Sequence, residues 1–313
     1  MSKFIDQLSQ LIEVEIGQLP LPTDPEGLYT PIRYIMEDGG KRMRPMLCVL
    51  ACEMFCGQPM RAKAPAMAIE VFHNFTLLHD DIMDRANMRR SRATVHTLWG
   101  DNTAILSGDA MMIFAYTLLS DSDLFGDVFA VFSRSSIEVC EGQQLDMDFE
   151  KRDVVTRDQY LEMIRLKTAS LMASALVMGA IEGGASPLEQ MALHRFGELL
   201  GLAFQIQDDR MDTYGDEATF GKKIGGDIAE GKKTFLKIIA SELSDNQSDS
   251  TILRESRDFD QVKAIYDKYD VDRAAQQAIE QYYEQAIECL AILDPQPTEH
   301  LREYAQMILK RNK

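Results

Sequence analysis

Apolar residues recur at helical spacing almost from end to end of this chain. Segments 3–18, 28–38, 45–57, 63–85, 101–120, 125–149, 157–182, 187–214, 232–243, 258–269, 271–292 and 297–311 all carry them. Apolar positions at i, i+3, i+4 and i+7 form one face of a helix, and no stretch alternates convincingly with the period of two that a strand requires. Helices with one apolar face must bury it against other helices, so the spacing predicts an all-α protein. Gly, Pro, Ser and Asp clusters separate the segments: Leu19 to Glu26 with three prolines, GGKRMRP at 39–45, 121–122, 182–187, and the polar tract SELSDNQSDS at 241–250. No break among them divides the composition, and one domain over 1–313 is expected.

Charge and cysteine content narrow the function. The 313 residues are 45% hydrophobic and carry a formal charge of −17, which leaves room for a sizeable core and argues against nucleic acid as a partner. The start, MSKFIDQLSQLIEVEIG, mixes charge with apolar residues as an amphipathic helix does and is unlike a secretory signal. The longest apolar run, Thr168 to Ile181, falls short of the ~20 residues that cross a bilayer. A cytoplasmic protein with no membrane span is expected. The five cysteines are an odd number, which fits reduced thiols. Cys48, Cys52 and Cys56 share one helix face, match no zinc spacing, and read as packing.

The sequence DDIMD at 80–84 returns as DDRMD at 208–212, each time near the end of a long apolar helix. Residues i and i+4 share a face, so Asp80 pairs with Asp84 and Asp208 with Asp212. Like charges so placed repel, and a divalent cation is the simpler account. Oxygen-only donors suit Mg²⁺, which takes one or two carboxylates together with waters and substrate phosphates. Antiparallel packing that brings the two motifs face to face would let them hold a diphosphate through bridging Mg²⁺. His79, beside Asp80, reads as a packing or hydrogen-bonding residue. Basic clusters in an otherwise acidic chain, at GGKRMRP, at Arg89-Arg90-Ser91-Arg92, and at Gly221-Lys222-Lys223 with Gly231-Lys232-Lys233, point the same way.

In order along the chain stand GGKRMRP at 39–45, DDIMD at 80–84, RR at 89–90, EGQQLD at 141–146, KT at 167–168, FQIQDD with MD at 204–212, and GK with EGKKT at 221–234. In these motifs and their order the chain resembles the trans-isoprenyl diphosphate synthases, the farnesyl and geranylgeranyl diphosphate synthase family. The resemblance implies the isoprenoid synthase fold, a single large helical bundle around a deep central cavity, and a homodimer. It implies a prenyltransferase that ionises an allylic diphosphate (dimethylallyl, geranyl or farnesyl diphosphate), adds isopentenyl diphosphate and releases diphosphate. It places Mg²⁺, three ions per active site, on Asp80, Asp84 and Asp208, with Asp81, Asp209 and Asp212 supporting. Arg89, Lys167 and Lys232 would contact the allylic diphosphate, with Lys222 joining them on closure. Lys41, Arg44, His73 and Arg90 would hold the isopentenyl diphosphate, and Thr168 and Gln205 would orient groups near the carbocation. Gln143, Gln144 and Asp146 read as a structural polar network.

Product length in this family depends on how far the cavity extends below the first aspartates. Phe75, five residues before Asp80, occupies the position where aromatics give short products, and Phe72 and Met112 are candidate neighbours in that floor. Thr76 leaves more room than a second aromatic would, and the reading is a C20 product, geranylgeranyl diphosphate, with C15 farnesyl diphosphate as the alternative. Where the family pattern has RRG-K-P-T, this chain has Arg89-Arg90-Ser91-Arg92-Ala93-Thr94, which alters loop stiffness. Arg210, within the second motif, is expected to face outward. A terpene cyclase would carry an Asn, Ser/Thr and Glu second motif, and an inactive partner subunit would have lost one Asp cluster; neither matches this chain.

Overall fold

The computed structural model describes residues 2–216, 224–294 and 298–310. Helices α1 (Lys3–Gly17), α2 (Glu26–Met36), α3 (Met43–Cys56), α4 (Lys63–Met83), α5 (Val95–Trp99), α6 (Asp101–Leu119), α7 (Phe125–Glu150), α8 (Arg157–Ile164), α9 (Ser170–Gly183) and α10 (Pro187–Tyr214) come first. Helices Gly226–Glu230, Phe235–Leu243, Gln247–Glu255, Phe259–Lys268, Val271–Cys289 and Glu299–Leu309 follow. Among the described residues the only strands are Met88–Arg89 and Arg92–Ala93, an antiparallel hairpin. The all-α expectation is met.

Three helices depart from the sequence reading: the short Val95–Trp99 and Gly226–Glu230 lie outside its segments, and a third begins in a stretch read as loop. The polar tract 241–250 contains the start of a helix, Gln247–Glu255. Asn246 caps it, its side chain accepting from the Asp249 amide at 2.8 Å. Polarity concealed the helix, because only Leu253 in it is buried.

Two compact units form, each with its own core. The first comprises residues 1–133, 174–191 and 294–304. It buries Ile5 and Ile12 of α1, Leu47 and Leu50 of α3, and Ile69 and Phe72 of α4. The cysteine stripe finds its use here. A Cβ on Gly179 of α9 would lie 1.9 Å from the Cys48 carbonyl oxygen, and one on Gly183 would lie 2.9 Å from that of Cys52. Glycines four apart on α9 thus meet small residues four apart on α3, and the two backbones touch. Cys48 is fully buried, and burial raises its thiol well above the ordinary value, as suits an inert packing residue.

The second unit comprises residues 134–173, 192–293 and 305–313. Its core gathers Phe149, Tyr160, Ile206, Phe235, Leu253 and Tyr266. Between α8 and α9 the helix widens to a π turn over Arg165–Ala169, a distortion that frequently marks functional sites. The continuous helix Arg157–Gly183 is apolar and long enough to cross a membrane, but 89% of its apolar window is buried inside the protein.

Gly179→Ala should lower stability by about 2–3 kcal/mol, because a methyl group there overlaps backbone rather than a movable side chain. Chemical denaturation of the variant against wild type measures it.

Candidate active site

In the first unit, α4 delivers the first acidic motif. Successive residues on a helix point about 100° apart, so the adjacent aspartates part company: Asp80 is half-buried, Asp81 is buried and Asp84, the C-cap, is exposed. Arg89 Nε donates to Asp81 Oδ1 at 2.8 Å. Burial pushes the Asp81 carboxyl up to about 6, against the pull of Arg89. Arg89 ends the first strand of the hairpin, and Arg90 and Ser91 make its turn with φ of 49° and 64°. Two left-handed residues are the requirement of a type I′ turn, which favours glycine. Ser91 therefore adopts, at some strain, the conformation that the glycine of the family pattern takes freely.

The GGKRMRP loop meets this hairpin. Gly39 and Gly40 have φ of 69° and 137°, and Arg90 Nη1 donates to the Gly39 carbonyl. A Cβ on Gly40 would lie 2.8 Å from Arg90 Nη1, so the glycine makes room for a guanidinium. Arg42 is structural: buried, it donates to Glu13 Oε1 at 3.0 Å, Glu70 Oε1 at 2.8 Å and the Met36 carbonyl at 2.7 Å. Arg44 is buried in the first turn of α3, while Lys41 is exposed. Half-buried His73 feels all of this charge. Desolvation, then Arg44, Arg90, Arg89 and Arg42, hold its imidazole well below the usual value. A neutral imidazole among arginines can donate to an anion without adding to their mutual repulsion.

Below Asp80 on the same helix stands an aromatic wall. The Phe75 ring lies 4.8 Å from His79 and 5.2 Å from Phe72, whose other neighbour is Phe132 at 5.2 Å, with Tyr116 a further 5.0 Å on. Phe72 and Phe75 are both buried. Thr76 turns its hydroxyl back to the His73 carbonyl at 2.7 Å. Met112 is half-buried on α6. The sequence reading missed Phe132 and Tyr116, which lie far from the motif in sequence and have no pattern of their own.

In the second unit, α10 carries the second acidic motif. Asp208 is half-buried, whereas Asp209 and Asp212 are buried. Asp209 accepts from Tyr160 Oη at 2.6 Å, the Phe235 amide at 2.9 Å and Gln205 Nε2 at 3.1 Å. Asp212 accepts from the Asp227 amide at 3.0 Å, inside the first turn of helix Gly226–Glu230. Burial raises Asp227 well above the usual carboxylate value, and the nearby charges of Asp209 and Asp212 add to that. This fourth acid was also missed; the GGD preceding EGKKT was its one signal. Arg210 pairs with Asp272, Nε to Oδ1 at 2.7 Å.

The KT pair sits in the π turn. Lys167 Nζ meets Asp146 Oδ2 at 2.6 Å, and Thr168 donates to Gln205 Oε1 at 3.0 Å. Two helices clamp this turn through glycine. A Cβ on Gly142 of α7 would lie 2.3 Å from the Lys167 amide nitrogen, and one on Gly201 of α10 would lie 2.4 Å from the Ala169 Cβ. Lys232 pairs with Glu230 at 2.9 Å. Lys222 lies outside the described residues.

Among the described residues no three His, Cys, Asp or Glu side chains gather closely enough to chelate a metal alone. Each unit thus carries one acidic motif with cations close to it.

The family model for polyprenyl synthetase matches residues 25–269. A geranylgeranyl pyrophosphate synthase of Geoglobus acetivorans is 39% identical over 320 residues, covering 100% of this chain and 99% of the relative. A short chain isoprenyl diphosphate synthase of Methanothermobacter thermautotrophicus is 44% identical over 237 residues, covering 75% of this chain and 73% of the relative. The crystal structure of a geranylgeranyl pyrophosphate synthase superposes with a TM-score of 0.94 at 40% identity, covering 100% of both chains.

Ser91→Gly should raise stability by about 1 kcal/mol by relieving the left-handed strain, read as a higher melting temperature. Tyr160→Phe should lower it by about 1–3 kcal/mol, since a buried carboxylate oxygen loses a donor; a denaturant titration checks this.

Proposed function

The chain belongs to the polyprenyl synthetase family, and from that premise we propose that it condenses isopentenyl diphosphate head-to-tail with an allylic diphosphate to give geranylgeranyl diphosphate, a C20 product. The observation that carries this is α4, on which the buried Phe75 and Phe72 rings precede Asp80 by five and eight residues, one to two helical turns. The diphosphate-handling chemistry and the length gauge share one rigid element. Relatives named as geranylgeranyl diphosphate synthases support the C20 length.

As a trans-isoprenyl diphosphate synthase, the protein must stabilise charge separation when the allylic C–O bond breaks. Asp80, Asp84 and Asp208 would hold Mg²⁺, with Asp81, Asp209 and Asp212 supporting from their hydrogen-bonded positions. When bound, Mg²⁺ neutralises charge on the departing diphosphate. Arg89, Lys167 and Lys232, with Lys222 joining on closure, bind that diphosphate; Arg89 and Lys167, held by Asp81 and Asp146, need little reorganisation as charge develops. Lys41, Arg44, His73 and Arg90 hold the isopentenyl diphosphate, whose double bond attacks the allylic carbon. The resulting cation loses a proton, which the departing diphosphate accepts, and no side-chain base is needed. Thr168 and Gln205, locked to Asp209 through one hydrogen-bonded chain, present fixed dipoles to the cation. Apolar surroundings keep water from capturing it.

A homodimer working in the cytoplasm completes the proposal. Leu98 of α5 and Ile105, Leu106 and Ile113 of α6 are exposed at 51%, 44%, 59% and 63%, an apolar stripe of the kind that subunit interfaces cover. Thiols among the described residues that form no disulfide suit a reducing compartment.

Incubation with isopentenyl diphosphate and each allylic primer, with and without Mg²⁺, tests the reading. A Mg²⁺-dependent C20 product is expected; a C15 product would correct the length, and no elongation with any primer would overturn the function. Asp80→Ala and Asp208→Ala should each cut kcat by about 10³-fold while leaving the melting temperature nearly unchanged. Phe75→Ala should shift the product distribution to longer chains, resolved by chromatography.

A further inference from the structure

Arg92 opens the second strand of the hairpin, and the condensation chemistry gives it no task. It is nonetheless firmly held against the end of α2. Its guanidinium carbon lies 3.9 Å from the centre of the Tyr34 ring, and its Nη1 lies 3.3 Å from Asp38 Oδ1. Tyr34 is fixed in turn: its hydroxyl donates to the Ala93 carbonyl at 2.7 Å, and its ring meets Trp99 edge-on at 5.1 Å. The Asp38 side chain is 8% exposed, and among the described residues no well-aligned hydrogen bond reaches its Oδ1. A carboxylate so placed needs a cation. A second arginine stands close by, for Arg90 Nη1 donates to the carbonyl of Gly39, the residue after Asp38. Desolvation lowers the Arg90 value, and of the charges acting on that guanidinium Asp38 opposes this most.

We propose that Arg92 is a positioning residue for isopentenyl diphosphate: pinned by the Tyr34 ring, it occupies the Asp38 carboxylate and so leaves the Arg90 guanidinium available to the diphosphate. The inference rests on the reading that Arg90 holds that substrate. The face of Tyr34 attracts the guanidinium without consuming any of its N–H donors, which keeps them for Asp38. Arg89 provides an internal contrast, since Asp81 holds it independently of Arg92. Loss of Arg92 therefore weakens isopentenyl diphosphate and spares the allylic substrate.

Calorimetric titration of the full chain with isopentenyl diphosphate and, separately, with farnesyl diphosphate, each in Mg²⁺, tests this. Arg92→Ala should weaken isopentenyl diphosphate by about tenfold, the scale of one lost charge-assisted hydrogen bond, and farnesyl diphosphate by less than about twofold. Arg92→Lys should bind both as wild type does, because an ammonium can pair with Asp38 and lie over Tyr34. In Arg92→Ala combined with Asp38→Asn, removal of the competing carboxylate should restore most of the isopentenyl diphosphate affinity. A residue that merely braced the hairpin would instead give a double variant weaker than Arg92→Ala alone. Unchanged isopentenyl diphosphate binding in Arg92→Ala, an equal loss for both substrates, or no recovery in the double variant would overturn the inference. Wild type that binds isopentenyl diphosphate without elongating it would overturn the proposed reaction and leave the Arg92 comparison intact, and wild type that fails to bind it would overturn both.

Discussion

The buried carboxylate of Asp209 is the constraint around which the second unit is arranged. Taken out of water, such a group survives only if donors replace its hydration. Tyr160 of α8, Gln205 of α10 itself and the first amide of helix Phe235–Leu243 supply them, so two separate stretches of chain must converge on one residue of α10. Gln205 is in turn held by Thr168, which passes the same constraint to the π turn. Even with these donors, burial keeps the carboxyl raised to about 6. Desolvation wins over hydrogen bonding here, and the ionised form is most comfortable with a further positive charge close by.

The first unit meets the opposite excess. Arg42, Arg44, Arg89 and Arg90 all act on His73, and Glu13, Glu70 and Asp81 pair with Arg42 and Arg89. Backbone freedom makes this concentration possible. Gly40 admits the Arg90 guanidinium, and the hairpin turn holds Arg90 and Ser91 at positive φ. Local strain and like-charge crowding are both costs that the rest of the fold must offset.

Much of this was legible before any coordinates. The i and i+4 pairing in both acidic motifs follows from helix period alone, and the order of the basic motifs around them carried the family resemblance. The long helices were found through their apolar stripes; the five-residue Val95–Trp99 and Gly226–Glu230 are too short to show a period, and Gln247–Glu255 was read as loop because it has almost no stripe. The partners that hold the site were less legible for a different reason. Tyr160 is 49 residues from Asp209, and Asp146 is 21 from Lys167; neither separation has a period, so no local pattern announces the pair. Phe132 behind Phe72 is hidden in the same way.

Within the motifs, the sequence by itself determined which residue types were present and that each acidic pair would share a helix face, because those properties depend only on composition and on 3.6 residues per turn. The tertiary structure decided how the equivalent aspartates differ. Asp80 and Asp208 stay partly exposed, while Asp81, Asp209 and Asp212 are buried and hydrogen-bonded. Burial and donor supply come from chain segments that are remote in sequence, and they, rather than residue identity, determine what a carboxylate is free to bind.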